Sequence, residues 1–263
     1  MKSIGVFDSG VGGLTVAREL IRQLPNENIV YFGDTARVPY GIKSQETVIR
    51  FSIENILFLL KHDIKLICVA CNTASSFALP VIKNHFRVPI VGVITPGARE
   101  AVYASGNKRI GVIGTKGTIK SRTYEIEIKQ LDKKVKVTAA ACPLFVPFVE
   151  EGWLKGEVVE SVVRSYLKPL KDAGVDTVIL GCTHYPLLKP VIQEVMGKDV
   201  VLIDSAKQVV VEIKKILASE DLLNRLKGGK HKFFVSDNPE WFSSLAKRFM
   251  GRQLKDVRKV DNV

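Results

Sequence analysis

The amino-acid sequence predicts an α/β fold in which two similar, doubly wound parallel-sheet domains are related by pseudo-twofold symmetry and enclose a cleft. Its strand-like segments are continuous apolar runs, which is typical of parallel strands that helices cover on both faces. These runs alternate with longer segments of helical periodicity, as they do in doubly wound sheets. The second half of the chain also repeats the pattern of the first, which indicates duplication of a whole domain.

The first half begins with a strand-like run at 4–7 and continues with a second at 29–32. A loop with Pro, Gly and an aromatic residue follows at 38–41, and two further strands are expected at 66–70 and 88–93. Between the loop and the third strand, apolar spacing predicts a helix whose buried face carries Ile49, Ile53, Ile56, Leu57 and Leu60.

The second half presents strands, a similar loop and a helical pattern in the same order, with the strands at 110–113, 135–138, 177–180 and 200–204 and the loop at 146–152. The offset between the halves is 106 residues from Ile4 to Ile110 and 111 residues from Cys71 to Cys182. The segment after residue 207 has no counterpart, and we expect it to add helices and one strand at 232–235 to the first domain. The predicted domains are therefore 1–95 plus 208–263, and 96–207.

Composition favours a globular cytoplasmic protein. The chain has 263 residues, of which 46% are hydrophobic, and no apolar run approaches the ~20 residues of a membrane span. Its N-terminus leads directly into a strand, so no signal peptide is visible. Four cysteines in a chain of this length do not form a disulfide scaffold. We therefore expect no membrane partner.

The net charge of +12 raises the question of nucleic-acid binding. From Lys207 onward there are 13 Lys and Arg against 7 Asp and Glu, so half of the excess lies in this last segment. The charges are scattered, however, and form no stripe interleaved with aromatic residues. We expect a solvated basic surface and no nucleic-acid partner, although a basic field also attracts anionic substrates.

The most informative residues are Cys71 and Cys182, since each follows an apolar strand and opens a polar turn before a helix. Ligands of such sheets bind beyond the carboxyl ends of the strands. Two similar domains that face each other would therefore bring both thiols to one cleft. A thiol at a helix N-terminus beside proton acceptors is an effective acid–base group.

Cys68 and Cys71 also form a C-x-x-C pair, which invites a redox or zinc interpretation. A step of three residues along a strand places the two side chains on opposite faces, and no second pair completes a four-ligand set. We therefore predict no metal site, and we expect Cys68 and Cys142 to be small packed hydrophobic residues.

Three further features adjoin the cysteine turns or the strand ends. A glycine-rich turn from Asp8 to Gly13 leads into a helix, where backbone N–H groups can hold an anion, although a purely structural turn or an actin-like phosphate loop fits the same residues. His184 follows Cys182 within the duplicated turn. Glu150 and Glu151 lie in the loop of the same half, where one of them could reach the second thiol.

Five segments together resemble the glutamate racemases of the aspartate/glutamate racemase superfamily, and the resemblance spans nearly the whole chain. They contain Asp8-Ser9-Gly10, Pro39-Tyr40-Gly41, Cys71-Asn72-Thr73, Val149-Glu150 and Cys182-Thr183-His184. The resemblance implies interconversion of L- and D-glutamate without a cofactor, as a source of D-glutamate for bacterial peptidoglycan. It also implies a homodimer.

The resemblance assigns roles to individual residues. Cys71 would take the proton from D-glutamate with the support of Asp8, and Cys182 would take it from L-glutamate with the support of Glu150 and His184. The implied substrate contacts are Asp8, Ser9, Tyr40, Gly41, Asn72, Thr73, Thr115, Thr118, Thr183 and His184. Removal of a proton from one face of Cα and return of a proton to the other requires two acid–base groups, which facing domains supply.

Three other functions stay open at this point. An aspartate racemase of the same superfamily would use the same chemistry. An actin-like nucleotide-binding protein would use the glycine-rich turn but would leave both cysteines without a role. A non-catalytic binding module or a nucleic-acid partner would show salt-dependent DNA affinity without turnover.

Overall fold

The computed structural model describes residues 2–260, so residue 1 and residues 261–263 of the predicted first domain lie outside the described residues. The strands, in chain order, are β1 (Ser3–Asp8), β2 (Asn28–Gly33), β3 (Ile64–Val69), β4 (Ile90–Gly92), β5 (Arg109–Gly114), β6 (Lys136–Ala141), β7 (Thr177–Gly181), β8 (Val201–Asp204), β9 (His231–Val235) and β10 (Val257–Lys259).

The helices lie between these strands. In chain order they are α1 (Leu14–Gln23), α2 (Gln45–Leu60), α3 (Asn72–Phe77), α4 (Leu79–Ile82), α5 (Ile94–Ala104), α6 (Lys116–Lys120), α7 (Thr123–Leu131), α8 (Phe145–Glu151), α9 (Glu157–Asp172), α10 (Lys189–Met196), α11 (Ser205–Ser219) and α12 (Pro239–Met250). Two short 3₁₀ turns cover Tyr40–Ile42 and Tyr185–Leu188.

All strand pairs of the two sheets are parallel, as the apolar runs predict. The first sheet has the order β10-β9-β2-β1-β3-β4, and the second has the order β6-β5-β7-β8. The order β2-β1-β3-β4 is thus repeated as β6-β5-β7-β8, which confirms the predicted internal repeat and fold class. The sheets divide the chain close to the predicted domain limits, although the limits themselves stay a prediction.

Three clusters of buried side chains hold the sheets and helices together. One covers the outer face of the first sheet, and another covers the outer face of the second. The largest contains residues from both sheets together with α1, α9, α10, α11 and α12, so the halves share one apolar core. Each large apolar side chain buried there contributes about 1.5–3 kcal/mol.

Several details differ from the sequence predictions. A loop was expected at 146–152, but Phe145–Glu151 forms α8, which ends at Gly152 in the left-handed conformation. The C-terminal segment contributes two strands instead of one, because β10 pairs with β9 at the sheet edge. Leu57 and Leu60 of α2 are 50% and 36% exposed, and the buried residues of that helix are Val48, Ser52, Asn55, Ile56, Phe58 and Leu59. Most residues of α2 are apolar, so spacing alone did not define its buried face.

The last helix, α12, has clear signals at both ends. Asn238 accepts a hydrogen bond from the Trp241 N–H at 3.0 Å, and Pro239 occupies the first helical position. Gly251 ends the helix with a φ of 74°, which glycine adopts without steric cost. These signals fix where α12 begins and ends, and therefore where its last turn meets the rest of the protein.

A buried ion pair ties β3 to the turn after α1. Lys65 Nζ lies 2.6 Å from Glu27 Oε2, and both side chains are almost fully buried. We expect Lys65→Met to destabilise the fold by about 3–5 kcal/mol, because the Glu27 carboxylate would be left buried without its cation.

Urea unfolding would measure this loss, with Lys168→Met as the control. Lys168 forms an exposed pair with Asp172, so its replacement should cost less than about 1 kcal/mol. Equal costs for the two variants would contradict a structural role for the buried pair.

Between residues 2 and 260, no helix is both long and apolar enough to cross a membrane.

Candidate active site

The site lies where the strand order reverses in each sheet. In the first sheet β1 and β3 are neighbours while β2 lies on the other side of β1, and β5 and β7 have the same relation in the second. Such switch points open a crevice at the carboxyl ends of the strands. Asp8 ends β1. Cys71 lies two residues after the end of β3, and Cys182 follows the last residue of β7 directly. Each half therefore contributes one cysteine to the crevice.

Cys71 caps the N-terminus of α3. Its Sγ accepts a hydrogen bond from the Ala74 N–H at 3.5 Å and lies 3.8 Å from Ser9 Oγ. Burial, with a smaller contribution from the negative charge of Asp8, raises the pKa of Cys71 to about 12, although the hydrogen bonds with the Ala74 N–H and the Ser9 hydroxyl oppose the change. Cys71 is therefore a thiol at neutral pH, and its thiolate would be a strong base.

Asp8 is a fully buried carboxylate between the two halves. It accepts a hydrogen bond from the Gly10 N–H at 3.0 Å and one from Thr183 Oγ1 at 3.5 Å across the domain interface. Burial raises the pKa of Asp8, although the charge of His184 and the hydrogen bonds lower it in part. Asp8 thus influences both cysteine turns, through charge on the Cys71 side and through Thr183 on the Cys182 side.

Cys182 has a different set of neighbours. His184 Nδ1 lies 3.9 Å from Cys182 Sγ, and His184 Nε2 lies 3.0 Å from Glu150 Oε1. Burial tends to lower the pKa of His184, but Cys182 and Glu150 outweigh burial and raise it to about 10. His184 is therefore an imidazolium at neutral pH, held between a sulfur and a carboxylate. Of the two candidate carboxylates, Glu150 faces the histidine, whereas Glu151 is exposed.

Both cysteines line one small cavity between the halves, with a volume of about 30 Å³. Most of the predicted substrate contacts line it as well: Ser9, Tyr40, Gly41, Asn72, Thr73, Thr115, Thr183 and His184. Sequence reasoning did not assign the three apolar residues that complete the wall, which are Val38, Pro39 and Val146. Asp8, Glu150 and Thr118 do not line the cavity, and their side chains hydrogen-bond to Thr183, His184 and Thr115 respectively.

A cluster of three threonine hydroxyls joins the halves on one side of the cavity. Thr73 Oγ1 lies 2.9 Å from Thr115 Oγ1 and 3.2 Å from Thr118 Oγ1, and the last two lie 3.1 Å apart. A Cβ at Gly41 would come within 2.6 Å of Thr115, so only glycine allows this close approach. Each hydroxyl donates as well as accepts, so the cluster can turn a donor toward a carboxylate.

Tyr40 lines the cavity, but its hydroxyl is already bound. It donates to the Asp34 carboxylate and accepts a hydrogen bond from Asn55 Nδ2 at 3.0 Å. Arg37 in turn binds Asp34 with its Nε, 2.7 Å from Oδ2. The predicted contact of Tyr40 with substrate would therefore come from its ring and backbone.

The arrangement can perform proton transfer from two sides of a bound molecule. One thiol lies beside a buried carboxylate, and the other lies beside an imidazolium and a second carboxylate. Among residues 2–260, no group of three or more His, Cys, Asp or Glu side chains is placed to hold a metal ion. Cys68 belongs to the shared core and Cys71 to the outer cluster, so the C-x-x-C pair straddles the sheet as expected.

Comparisons with known proteins point to one family. The sequence model of the Asp/Glu/hydantoin racemase family matches residues 4–213. Glutamate racemase from Geobacter metallireducens is 53% identical over 260 residues, which cover 98% of this chain and 96% of that protein. A solved glutamate racemase isoform from Bacillus anthracis superposes with a TM-score of 0.96 at 43% identity, covering 99% of this chain and 97% of the other.

Glutamate racemase from Francisella tularensis, solved in complex with D-glutamate, gives a TM-score of 0.93 at 38% identity, again over 99% of this chain and 97% of the other. These similarities confirm the resemblance that the five sequence segments indicated. They also favour a racemase over an actin-like nucleotide-binding protein. The chain belongs to the Asp/Glu/hydantoin racemase family.

Proposed function

We propose that the protein is a glutamate racemase that uses Cys71 and Cys182 as its two proton-transfer groups and needs no cofactor. The observation that carries the proposal is the single cavity lined by one cysteine from each half. The relatives named above are glutamate racemases, and their similarity covers nearly the full chain. The D-glutamate formed would be used for peptidoglycan. That the protein forms a homodimer stays a prediction.

In the direction from L- to D-glutamate, Cys182 acts as the base. Its thiolate, stabilised by the His184 imidazolium, removes the proton from Cα, and the electron pair moves toward the α-carboxylate. The Cys71 thiol then donates its proton to the opposite face of Cα, which leaves D-glutamate, a Cys71 thiolate and a Cys182 thiol. The reverse reaction exchanges these roles. The high pKa of Cys71 makes its thiolate basic enough to attack the weakly acidic Cα–H.

Charge that develops on the substrate carboxylate needs donors that are already in place. The backbone N–H groups at the start of α3 and the hydroxyls of Thr73, Thr115 and Thr183 surround the cavity. Such fixed donors stabilise a transition state without reorganisation. Aspartate, one methylene shorter than glutamate, would use the same α-carboxylate contacts, so an assay with both amino acids distinguishes the two substrates.

The cavity is too small to admit glutamate as it stands. Its volume of about 30 Å³ is close to the volume of one water molecule, whereas ligand sites occupy roughly 300–1,000 Å³. We infer that the halves move apart when substrate enters or leaves. The links from Asp8 to Thr183 and from Thr73 to Thr115 cross the cleft, so we expect them to open in that motion.

Circular dichroism of amino-acid solutions tests the proposal directly. Purified, reduced protein without added cofactor should bring the signals of L-glutamate and D-glutamate to zero from both sides, while L- and D-aspartate persist. Decay with aspartate alone would keep the mechanism and change the substrate. Folded protein that leaves all four signals unchanged would contradict the proposal.

The Glu150 carboxylate should control the alkaline limit of activity. In Glu150→Gln the negative charge is lost, so the pKa of His184 should fall from about 10 toward its ordinary value. The imidazolium exists below that pKa and is lost as pH rises through it. The alkaline decline of kcat/KM should therefore begin at lower pH, and the deficit relative to wild type should be greater at pH 9 than at pH 7.

The matched control is Glu151→Gln, which removes the same charge from the exposed neighbour. Its pH profile should coincide with that of the wild type. If both variants shifted equally, the effect would be one of general surface charge, and the specific link from Glu150 to His184 would be wrong.

A further inference from the structure

The C-terminal helix α12 reaches from the first half of the molecule to the Cys182 side of the site. It packs on α1 and on β9 and β10 of the first sheet. Its last turn contacts the second half through Arg248 and Phe249. Neither residue lines the cavity between the cysteines, so neither is placed to touch a bound substrate.

Arg248 caps the C-terminus of α8, the helix that carries Glu150. Its Nη1 donates to the carbonyl oxygen of Val149 at 2.8 Å and to that of Glu150 at 2.6 Å. Carbonyls in the last turn of a helix lack partners within the helix, and a cation there also opposes the negative end of the helix dipole. A Cβ at Gly152 would lie 2.7 Å from Arg248 Nη2, so the glycine makes room for the guanidinium.

Phe249 contacts the other member of the pair. Its fully buried ring meets the His184 ring edge-on, with the centroids 5.2 Å apart and the planes at 83°. The carbonyl of Phe249 in turn accepts a hydrogen bond from Arg18 Nη1 of α1 at 3.0 Å. The end of α12 is thus fastened to the first half while it contacts both Glu150 and His184.

We propose that Arg248 and Phe249 are positioning residues for the pair formed by Glu150 and His184, and through that pair for Cys182. The proposal rests on the proposed function, because it concerns the proton transfer at Cys182. It predicts that damage to the last turn of α12 weakens the Cys182 step more than the Cys71 step, which His184 affects indirectly through its charge on Asp8. Cys71 depends on Ala74, Ser9 and Asp8, none of which Arg248 or Phe249 contacts through a hydrogen bond or ring pair in the described structure.

A ratio of rates in the two directions cannot reveal this selectivity. L- and D-glutamate have equal free energies in an achiral solvent, so kcat/KM must change by the same factor in both directions. Primary deuterium isotope effects do separate the steps. If the Cys182 step becomes more rate-limiting, the isotope effect rises with L-glutamate labelled at Cα and falls with labelled D-glutamate.

The test compares Arg248→Met with Lys247→Met. Both remove one positive charge from the exposed side of α12, but among residues 2–260 Lys247 donates no hydrogen bond to α8 like those of Arg248. We expect Arg248→Met to lower kcat/KM about tenfold, which corresponds to a displacement of roughly 1.4 kcal/mol in the barrier. The opposed changes in the two isotope effects should accompany this loss. Lys247→Met should match the wild type in every measurement.

A second measurement does not depend on turnover. The His184 imidazole can be titrated by NMR in the protein without substrate, where it is one of four histidines. Looser placement of Glu150 in Arg248→Met should lower the pKa of His184 from about 10, and Phe249→Leu should lower or broaden the same titration. Arg248→Lys keeps the positive charge but lacks the planar guanidinium, so its His184 pKa should lie between those of Arg248→Met and the wild type.

The outcomes separate the two proposals. A wild-type protein without glutamate turnover would overturn the proposed function, and the His184 titration would still test the positioning role. Unchanged kinetics and an unchanged titration in Arg248→Met would show that α12 only packs against the site. Isotope effects that moved together in the same direction, or a loss confined to thermal stability, would also overturn the selective role of α12.

Discussion

Replacement of Cys71 or of Cys182 by alanine is expected to abolish racemisation in both directions. Each variant keeps one acid–base group, so a proton can be exchanged on one face of Cα but cannot be delivered to the other. Loss of a positioned acid–base group usually costs roughly 10²–10⁴-fold in rate. Here either loss should reach the upper end of that range or exceed it, because the remaining thiol cannot act on both faces.

The chain contains its own controls for this experiment. Cys68 and Cys142 are also buried, but both belong to the shared core, and neither lines the cavity. Cys68→Ala and Cys142→Ala should therefore retain turnover close to that of the wild type. In D₂O, Cys71→Ala should still exchange the α-proton of L-glutamate without inversion, since Cys182 serves that face. Near-normal racemisation by either active-site variant would refute the two-thiol mechanism.

The repeat made most of the fold predictable. Apolar strands at equivalent places in both halves predicted parallel strands, and the position of each cysteine after its strand predicted one crevice lined by both. The sheets have the same strand order, with Cys71 and Cys182 at equivalent switch points. The pairing of β10 escaped prediction, because only Val257 of its three residues is apolar and no apolar run marks it as a strand.

The parts of the site that sequence reasoning missed depend on contacts between distant segments. Val38, Pro39 and Val146 are apolar and carry no chemical signal, yet they complete the cavity wall. The choice between Glu150 and Glu151 depended on the helical phase of α8, which was expected to be a loop. Arg248 lies almost one hundred residues from Glu150 in the sequence, so no local pattern could connect them.

Gly12→Ala is expected to be the most damaging change outside the cysteines. A Cβ at Gly12 would lie 2.2 Å from Thr183 Oγ1 and 2.5 Å from His184 Nδ1, distances that real Cβ atoms do not show. Gly12 has no positive φ, so the requirement is for space between the halves and not for an unusual backbone conformation. Alanine must therefore push Thr183 and His184 away from the glycine-rich turn or hold the halves apart.

Either displacement should reduce kcat far more than it changes the binding of substrate to the open protein. A shift of about 1 Å in a catalytic group can cost about 10²-fold in rate, and we expect at least that loss for Gly12→Ala. The neighbouring Gly10→Ala is a matched control, since its Cβ would meet only the Val38 side chain, at 3.5 Å from Cγ2, which is an ordinary contact. Its backbone N–H can still donate to the Asp8 carboxylate. A wild-type kcat in Gly12→Ala would mean that the halves need not approach this closely during turnover. A large loss in Gly12→Ala beside near-normal Gly10→Ala would instead locate the catalytic requirement at the contact between the glycine-rich turn and the Cys182 turn. Closure of the cleft and placement of His184 would then be one event, because the same contact governs both.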